Sequence, residues 1–355
     1  MKLLIDIGHP AHVHYFKNLA NYFINQGGDV LFTVRNKEVA VQLLEFYNFK
    51  YFITGKPYKS KVGKVFGLIW FTINIFIRAI KFKPDFILNF TFYSAFTAFL
   101  LRKPHISIED TFNKESLRLI MPFTNVVFTG EYPHISLGPK EIRYNGYQEL
   151  AYLHPDYFTP NPSILQKLNI SSDEKYFILR FVSWNASHDY GQKGLTNQEK
   201  IELVNLLNRF GKVFISSEGE LDEFFEEYKI DILPSEMHDI LYYASLYIGE
   251  GATMTTESAV LGTPAFYINT QKTGPTTELE DTYGLVYNFQ NFDQLPSKIE
   301  EVLKTPDFNG LFKERAKSLI TEKVNLTKLL IWFIENWPES KKIMKENPNY
   351  QYKFK

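Results

Sequence analysis

The chain contains no cysteine among its 355 residues. This absence excludes disulfides, thiolate metal sites and cysteine nucleophiles, and it makes a reducing cytoplasm the simplest compartment. Long hydrophobic runs are also lacking, because the most apolar window, residues 65–77, is shorter than the roughly 20 residues that a membrane-spanning helix needs. The N-terminus becomes acidic at Asp6, too early for the apolar region of a signal peptide. We therefore expect no secretory leader.

Neither sign of charge is in excess: the chain has 39 Lys and Arg, 40 Asp and Glu, and a formal net charge of −1. Sequence-independent nucleic-acid binding needs a clustered basic surface that neutralises phosphates, so we expect no nucleic-acid partner. Hydrophobic residues make up 45% of the chain and charged residues 22%, which is ordinary globular usage and excludes a disordered or coiled-coil protein. At about 150 residues per domain, the length predicts two domains.

Short apolar runs alternate with segments of helical period, which is the pattern of a parallel α/β sheet. One predicted helix follows the first strand, because Phe16, Leu19, Ala20 and Phe23 fall on one helical face. The predicted strands are residues 2–7, 30–34, 86–89, 105–108, 126–129, 176–181, 212–216, 246–248 and 265–268. Further helices are predicted over residues 196–208, 236–244 and 253–261.

Three prolines lie within residues 154–162, and this shift in composition predicts a domain boundary. The alternation of strands and helices restarts after it. We expect a first α/β domain over residues 1–158 and a second over residues 159–325. Residues 326–355 are predicted to form a helical tail that packs back on the first domain.

Three histidines lie close together after the first predicted strand. In doubly wound sheets the ligand lies beyond the carboxyl ends of the strands, so residues just after a strand are candidates for function. His9, His12 and His14 lie between that strand and a helix N-terminus. They could bind an anion or act as acid or base near neutral pH. For each of them a capping or packing role is equally compatible with the pattern.

The most informative segment runs from residue 246 to residue 264. A buried strand leads into Gly249-Glu250-Gly251-Ala252, where the glycines and the alanine let backbone N–H groups approach a ligand at the start of a helix. Glu257 lies about one turn into that helix, where its carboxylate could accept hydrogen bonds from a ribose diol. The alternative is a first-turn charge that complements the helix dipole.

This segment resembles the nucleotide-sugar loop of GT-B glycosyltransferases, especially the N-acetylglucosaminyltransferase that completes the lipid-linked peptidoglycan precursor. It is similar also to the non-hydrolysing UDP-N-acetylglucosamine 2-epimerases. Over most of its length the chain resembles an uncharacterised prokaryotic family of predicted GT-B glycosyltransferases that share Asp-Ile-Gly-His-Pro-Ala-His-Val at the start and Ile-Glu-Asp-Thr near position 109. The resemblance implies a GT-B fold: two Rossmann-like α/β/α domains, an interdomain cleft, and a C-terminal helix that returns to the first domain.

The resemblance also implies roles for particular residues. Gly251 and Ala252 would face the diphosphate of a UDP-sugar, and Glu257 would bind the ribose. Thr253, the next residue, is a further substrate-binding candidate. On the acceptor side, His12 falls on the histidine loop of the peptidoglycan enzyme and Glu109 on its strand-end glutamate. The general base is then one of three candidates: His12, which the ordinary histidine pKa favours, Glu109 or Asp110.

Further substrate-binding candidates follow other strands. They are His9, Arg180, Ser183, Ser217, His238, Thr276 and Thr277. Arg180 would neutralise the diphosphate or, alternatively, form a salt bridge with an acidic neighbour. His238 matches the family's turn beside the base, although a helix N-terminus with this composition is equally consistent with capping.

Together these features predict a metal-independent transfer of a sugar, with N-acetylhexosamine expected, from a UDP-sugar to a cell-surface glycan or lipid-linked acceptor. No Asp-x-Asp motif and no cofactor motif is present, so backbone amides, the helix dipole and Arg180 would stabilise the leaving UDP. One alternative is an epimerase-like enzyme, although the Thr-Glu-Arg-Pro-Glu pattern is missing. Another is a non-catalytic nucleotide-sugar-binding protein.

The apolar segment 64–81 allows two interpretations. Basic residues flank its apolar middle, which is typical of an interfacial helix on a membrane that carries a lipid-linked acceptor. In the resembling families a helix packed on the sheet takes this place. We expect a cytoplasmic protein, which would be peripheral on the inner face of the membrane under the first interpretation only.

Overall fold

The computed structural model describes residues 1–36, 38–56, 61–110, 112–132, 134–171, 174–182, 194–217, 219 and 221–355. The chain forms two compact units. The first consists of Met1–Tyr157 together with Lys323–Lys355, and the second consists of Phe158–Glu322. Each unit is built on one parallel sheet.

In the part of the chain that the structure describes, twelve strands make up the two sheets. In chain order they are β1 (Lys2–Ile7), β2 (Asp29–Arg35), β3 (Tyr51–Gly55), β4 (Phe86–Asn89), β5 (His105–Glu109), β6 (Val126–Gly130), β7 (Glu141–Tyr144), β8 (Tyr176–Phe181), β9 (Lys212–Ser217), β10 (Leu246–Gly249), β11 (Ala265–Ile268) and β12 (Val286–Phe289). The order of strands is β3-β2-β1-β4-β5-β6-β7 in the first sheet and β12-β11-β10-β8-β9 in the second.

Helices connect the strands and cover the sheets. They are α1 (Pro10–Asn25), α2 (Glu38–Phe46), α3 (Lys61–Phe82), α4 (Tyr93–Leu100), α5 (Lys114–Ile120), α6 (Leu150–Leu153), α7 (Ser163–Lys167), α8 (Asn197–Asn208), α9 (Glu223–Glu226), α10 (Met237–Tyr243), α11 (Ala252–Val260), α12 (Gly274–Asp281), α13 (Leu295–Lys304), α14 (Phe308–Glu322), α15 (Leu326–Glu335) and α16 (Glu339–Glu346), with 3-10 turns at Pro234–Glu236 and Pro348–Phe354.

The predicted α/β class is confirmed. The central strands β1, β4, β8 and β11 have almost entirely buried side chains, as continuous apolar runs in a parallel sheet require. The helix predicted after β1 is α1, whose buried face includes Phe16, Leu19, Ala20 and Phe23. Gly27, with φ of 76°, follows the end of α1 in the left-handed conformation that glycine adopts at low cost.

Three strands that the sequence analysis did not predict are β3, β7 and β12, and all three are edge strands. Most residues of β3 and β12 are only partly buried. A half-buried edge strand lacks the continuous apolar run by which the central strands were found. For β3 and β12 the physical reason for the omission is therefore partial burial at the sheet edge. The strand β7 is mostly buried, but its sequence Glu-Ile-Arg-Tyr contains no continuous apolar run.

The C-terminal segment packs within the first unit. Thr327 donates a hydrogen bond from Oγ1 to the carbonyl of Ala151 at 2.8 Å, and the Lys328 Nζ lies 2.5 Å from Asp156 Oδ2. The Tyr22 hydroxyl donates to Glu335 at 2.8 Å. The helix α15 thus contacts elements at the beginning of the chain.

No helix in the described part of the chain is long and apolar enough to cross a membrane.

Candidate functional site

In the second unit, the turn after β10 begins with a glycine that packing requires. A Cβ atom added to Gly249 would lie 2.0 Å from the Tyr247 hydroxyl oxygen, so glycine leaves room for that buried ring. The sequence analysis had attributed the small side chains of this turn to ligand approach. For Gly249 the structure gives a different reason, which is the packing of Tyr247.

The start of α11 lies open. Gly251 is the N-cap residue, and within the described residues no side chain caps this end of the helix. Among the described residues, a Cβ atom added to Gly251 would meet only Val182 Cγ1, at 3.5 Å. Gly251 and Ala252 are partly exposed and Thr253 is exposed. The first N–H groups of α11 therefore form a positive, accessible end of the helix dipole, which suits an anion.

Behind this opening lies a buried pair of ionisable side chains. His238 Nε2 on α10 lies 3.0 Å from Glu257 Oε1 on α11, and only 5% and 6% of the two side chains is exposed. Glu257 is the sixth residue of α11, so the alternative of a first-turn charge that complements the dipole is wrong. His238 is likewise packed inside the unit and is not an exposed capping residue.

Arg180 lies at the carboxyl end of the central strand β8, in register with Gly249 of β10 and Ser216 of β9. Its NH1 atom donates to Ser216 Oγ at 2.7 Å. Neighbouring residues of a strand face opposite sides, and the predicted candidate Ser217 instead accepts a hydrogen bond from the Gly219 N–H. The serine that contacts Arg180 is therefore Ser216, which was not among the candidates from the sequence.

Glu250 is a further residue that the sequence analysis missed. Its buried carboxylate accepts backbone hydrogen bonds from Val182 at 2.9 Å and from Leu195 at 2.7 Å. Its own carbonyl accepts from the Asn269 side chain at 3.0 Å. Through these bonds Glu250 connects the turn before α11 to two other segments. One is the residue after β8, and the other is the residue that precedes the N-cap of α8. Ser183, a predicted substrate-binding residue, lies outside the described residues.

The predicted threonines lie at the start of α12. Thr276 is fully buried, and its N–H donates to Oγ1 of the N-cap residue Thr273 at 3.3 Å. The Thr276 carbonyl accepts from Asn288 Nδ2 at 3.0 Å. Thr277, one position on, is partly exposed. Thr276 therefore has a structural role as part of the cap, and Thr277 is the threonine that solvent can reach.

In the first unit, His9 lies at the turn from β1 to α1, and His12 lies in the first turn of α1. The exposed His9 is the N-cap residue, and its Nδ1 accepts from the Ala11 N–H at 3.3 Å. His12 stacks on Phe90, with ring centroids 4.1 Å apart, and its Nδ1 accepts from the Gly8 N–H at 3.2 Å. Because Nδ1 is an acceptor there, the proton of the neutral His12 ring is on Nε2.

A buried polar cluster that the sequence analysis missed supports this turn. Asp6 accepts hydrogen bonds from the hydroxyls of Thr33, at 2.9 Å, and Thr91. Burial raises the pKa of Asp6 from 3.8 to about 6, although both hydroxyls and Arg35 act to lower it. Arg35 donates to the Gly8 carbonyl at 3.2 Å, and an added Cβ on Gly8 would lie 2.4 Å from its NH2 atom.

The two candidate carboxylates near position 109 differ in their surroundings. Glu109 is the buried last residue of β5, and its Oε1 accepts from the Phe112 N–H at 2.8 Å. That bond accompanies a Phe112 φ of 50°, in the left-handed region. Asp110 is exposed. Since β1, β4 and β5 are neighbours in the sheet, His12, Phe90 and Asp110 all follow strands at the same edge.

With this geometry established, comparison with known proteins identifies the family. The family model described as "Protein of unknown function (DUF354)" matches residues 1–277. The chain belongs to the DUF354 family. A curated relative, the uncharacterized protein MJ0665 of Methanocaldococcus jannaschii, is 28% identical over 273 residues, which cover 73% of this chain and 79% of the relative.

Solved structures show the fold of this DUF354 protein. The UDP-GlcNAc 2-epimerase from Neisseria meningitidis bound to UDP-GlcNAc is similar with a TM-score of 0.62 and 14% identity, covering 91% of this chain and 99% of that one. The glycosyltransferase SsfS6 of Streptomyces sp. SF2575 is similar with a TM-score of 0.57 and 12% identity, covering 93% and 99%. The predicted two-domain α/β GT-B fold and the predicted kind of family are confirmed.

Proposed function

We propose that this protein transfers a sugar from a UDP-sugar to an acceptor hydroxyl, without a metal ion. The observation that carries the proposal is the open N-terminus of α11, which follows a strand of the sheet and has Arg180 at the end of the neighbouring strand. Support comes from similar structures, one of which is bound to UDP-GlcNAc and another of which is a glycosyltransferase.

The donor would be held by the second unit. Its diphosphate would accept hydrogen bonds from the N–H groups at Gly251, Ala252 and Thr253, with the Arg180 guanidinium as counter-charge. Glu257 would bind the ribose, in a position fixed by its contact with His238. We expect an N-acetylhexosamine as the sugar. As the bond from sugar C1 to the diphosphate oxygen breaks, its electron pair goes to the departing UDP, which these donors stabilise.

The acceptor would be held by the first unit, and its oxygen would form the new bond to C1. The tautomer of His12 makes Nε2 a donor, so the geometry favours the exposed Asp110 as the base that takes the acceptor proton. This assignment moves the base from His12, the first choice on pKa alone, to a neighbouring candidate. Glu109 would hold the turn that presents Asp110, through its bond to Phe112.

A glycan or a lipid-linked molecule at the cell envelope is the acceptor class that we propose. The protein would then work in the cytoplasm, in polysaccharide biosynthesis. A lipid-linked acceptor would also require the enzyme to meet a membrane surface.

The proposal is tested by calorimetric titration with UDP and with a panel of nucleotide sugars, each with and without EDTA. We expect uridine nucleotides to bind and the chelator to leave their affinity unchanged. Binding that appears only after Mg²⁺ or Mn²⁺ is added would contradict the metal-free account. Absence of uridine-nucleotide binding under every condition would contradict the proposal as a whole.

A 2-epimerase is the second candidate, because similar solved structures include such an enzyme. An epimerase removes and returns the proton at C2 of the sugar, so it would incorporate deuterium at C2 in D₂O. A transferase would leave C2 unlabelled and release UDP when an acceptor is present. Mass spectrometry of UDP-GlcNAc recovered from D₂O therefore separates the two reactions.

A further inference from the structure

The helix α3 has two apolar faces on opposite sides. Phe71, Ile75 and Ala79 are buried against the first sheet and α4. The other face is exposed, and each of its large side chains is between 44% and 56% accessible: Phe66, Ile69, Trp70, Ile73, Ile77 and Ile80. One face of this segment therefore belongs to the core, and the other face has no covering element among the described residues.

The exposed residues form one continuous stripe. Their spacing of three, four and seven positions places all six within an arc of about 100° on a helix of 3.6 residues per turn. The neighbouring helix α4 packs on α3 and exposes Phe96, Phe99 and Leu100 as well. We call these nine side chains the α3–α4 face. Monomeric soluble proteins seldom expose so large a group of apolar side chains without a partner.

The segment around this face is strongly basic, although the whole chain is nearly neutral. Residues 46–108 contain ten Lys and Arg and a single acid, Asp85. The α3 sequence itself contains no acid. Lys81, Lys83 and Arg102 are exposed in the described structure. An apolar stripe flanked by cations is complementary to a surface that is apolar inside and anionic outside.

We propose that the α3–α4 face docks on a membrane surface that contains anionic lipids, with α3 lying in the plane of the interface. The apolar side chains would enter the boundary between headgroups and acyl chains, while the flanking cations contact lipid phosphates. A second copy of this chain is a poorer occupant. A symmetric dimer would place two identical basic segments face to face, with like charges opposed. The inference concerns the first unit alone and does not depend on which sugar is transferred.

The test is flotation of the full-length protein with vesicles of phosphatidylcholine alone or mixed with phosphatidylglycerol. We expect binding to the anionic vesicles, weaker binding to the neutral ones, and release from the anionic vesicles as salt is raised. The double variant Ile73→Ser/Ile77→Ser should bind about tenfold or more weakly, because it removes apolar side chains from the interface. Lys81→Glu should weaken binding to anionic vesicles to a similar degree, about tenfold.

Matched controls come from surfaces elsewhere on the chain. Leu311→Ser removes a side chain of 46% exposure on α14, close to the 47% of Ile73, and Lys353→Glu reverses an exposed charge near the C-terminus. Both control variants should float like the wild type. All variants should retain the wild-type melting temperature and UDP affinity, so that loss of vesicle binding is not mistaken for unfolding or for failure of the sugar-transfer proposal.

Two results would overturn the inference. One is wild-type protein that stays unbound in the presence of anionic vesicles. The other is equal binding of the wild type and Ile73→Ser/Ile77→Ser, which would mean that another surface meets the lipid. A concentration-dependent dimer that only this double variant abolishes, together with absent vesicle binding, would assign the α3–α4 face to a second copy.

Discussion

The choice between Asp110 and His12 as general base rests on one hydrogen bond of His12 and on the exposure of Asp110. The Gly8 N–H occupies the Nδ1 lone pair of His12, whereas Asp110 is an exposed carboxylate. We expect Asp110→Asn to lower turnover by about 100-fold or more, the lower range for loss of a general base. His12→Gln should lower it less, because an amide still offers a donor. UDP affinity should stay unchanged in both variants. A severe His12→Gln beside a mild Asp110→Asn would return the base to the imidazole.

Glu257 and His238 act together, so substitutions at the two sites must be compared. Glu257→Ala should weaken UDP binding by about 10- to 150-fold, which corresponds to the loss of a charged hydrogen bond of about 1.5–3 kcal/mol. It should also lower the melting temperature, because buried His238 loses its contact with the Glu257 carboxylate. The control is His238→Phe, which disturbs the same packing but leaves the carboxylate in place. If titration finds that Glu257→Ala binds UDP as tightly as the wild type does, the contact between Glu257 and the ribose is refuted.

The raised pKa of Asp6 makes the stability of the protein depend on pH. Its pKa in the folded protein is about 6, above the ordinary 3.8, so between these values the folded state binds more protons than the unfolded state. The contribution of Asp6 to the free energy of unfolding is therefore fully present below about pH 4. It is lost as the pH rises through 6, and the total loss is about 3 kcal/mol. We expect Asp6→Asn to flatten this part of the pH dependence. Urea unfolding of both proteins at pH 4 and pH 8 measures it, and parallel curves would contradict the assignment.

At the scale of elements, α11 begins without a side-chain cap in the described structure but ends with a strong one. Lys313 on α14 donates to the carbonyl of Leu261, the C-cap of α11, at 2.7 Å and to the carbonyl of Tyr242 on α10 at 2.8 Å. Its Nζ also lies 3.6 Å from the centre of the Tyr242 ring. Burial lowers the pKa of this amine to about 7. The Lys313 side chain thus caps the C-terminal ends of α10 and α11, the two helices that carry the His238–Glu257 pair.

We expect Lys313→Met to destabilise the protein by about 1–3 kcal/mol, because two helix-end carbonyls lose their buried donor while the side-chain volume is kept. Chemical denaturation measures the effect. Lys317→Met, one turn further along α14 at a side chain with 70% exposure, is the control and should change stability little. An unchanged unfolding free energy in Lys313→Met would show that water serves these carbonyls equally well.

The sequence predicted the helices and strands better than it predicted the side-chain contacts between them. Central strands such as β4 and β11 were predicted with the observed bounds, because burial on both sides leaves an unbroken apolar run. The Gly-x-Gly-Ala sequence after a buried strand likewise predicted that Gly251 lies at the start of a helix. The bonds of Glu250 to Val182 and Leu195 were not, since they join residues that are 68 and 55 positions apart. Asp6 and Arg35 escaped notice for the same reason: only the packing of adjacent strands makes them a cluster.

At the scale of the whole molecule, the charge is divided unevenly. The segment 46–108 is strongly basic, so the rest of the chain carries a net negative charge that nearly cancels it. A balanced total therefore conceals a segment that is rich in cations. The α3–α4 face and this segment belong to the first unit, whereas the open helix end proposed for the nucleotide belongs to the second. Two ligands of different chemistry would thus be bound by separate parts of the chain.

Hydrogen exchange with and without UDP tests this division directly. A ligand at the start of α11 should slow amide exchange in β10 and α11, because bound UDP orders the N–H groups that contact it and opposes local opening. Amides of α3 and α4 should exchange at unchanged rates. Vesicles of anionic lipid should produce the reverse pattern, with protection in α3 and α4 alone. Arg180→Met serves as the control for the nucleotide arm: it should weaken the UDP effect and leave the vesicle effect intact. Protection by UDP that centres on the first unit would place the nucleotide away from α11 and remove the structural basis of the sugar-transfer proposal.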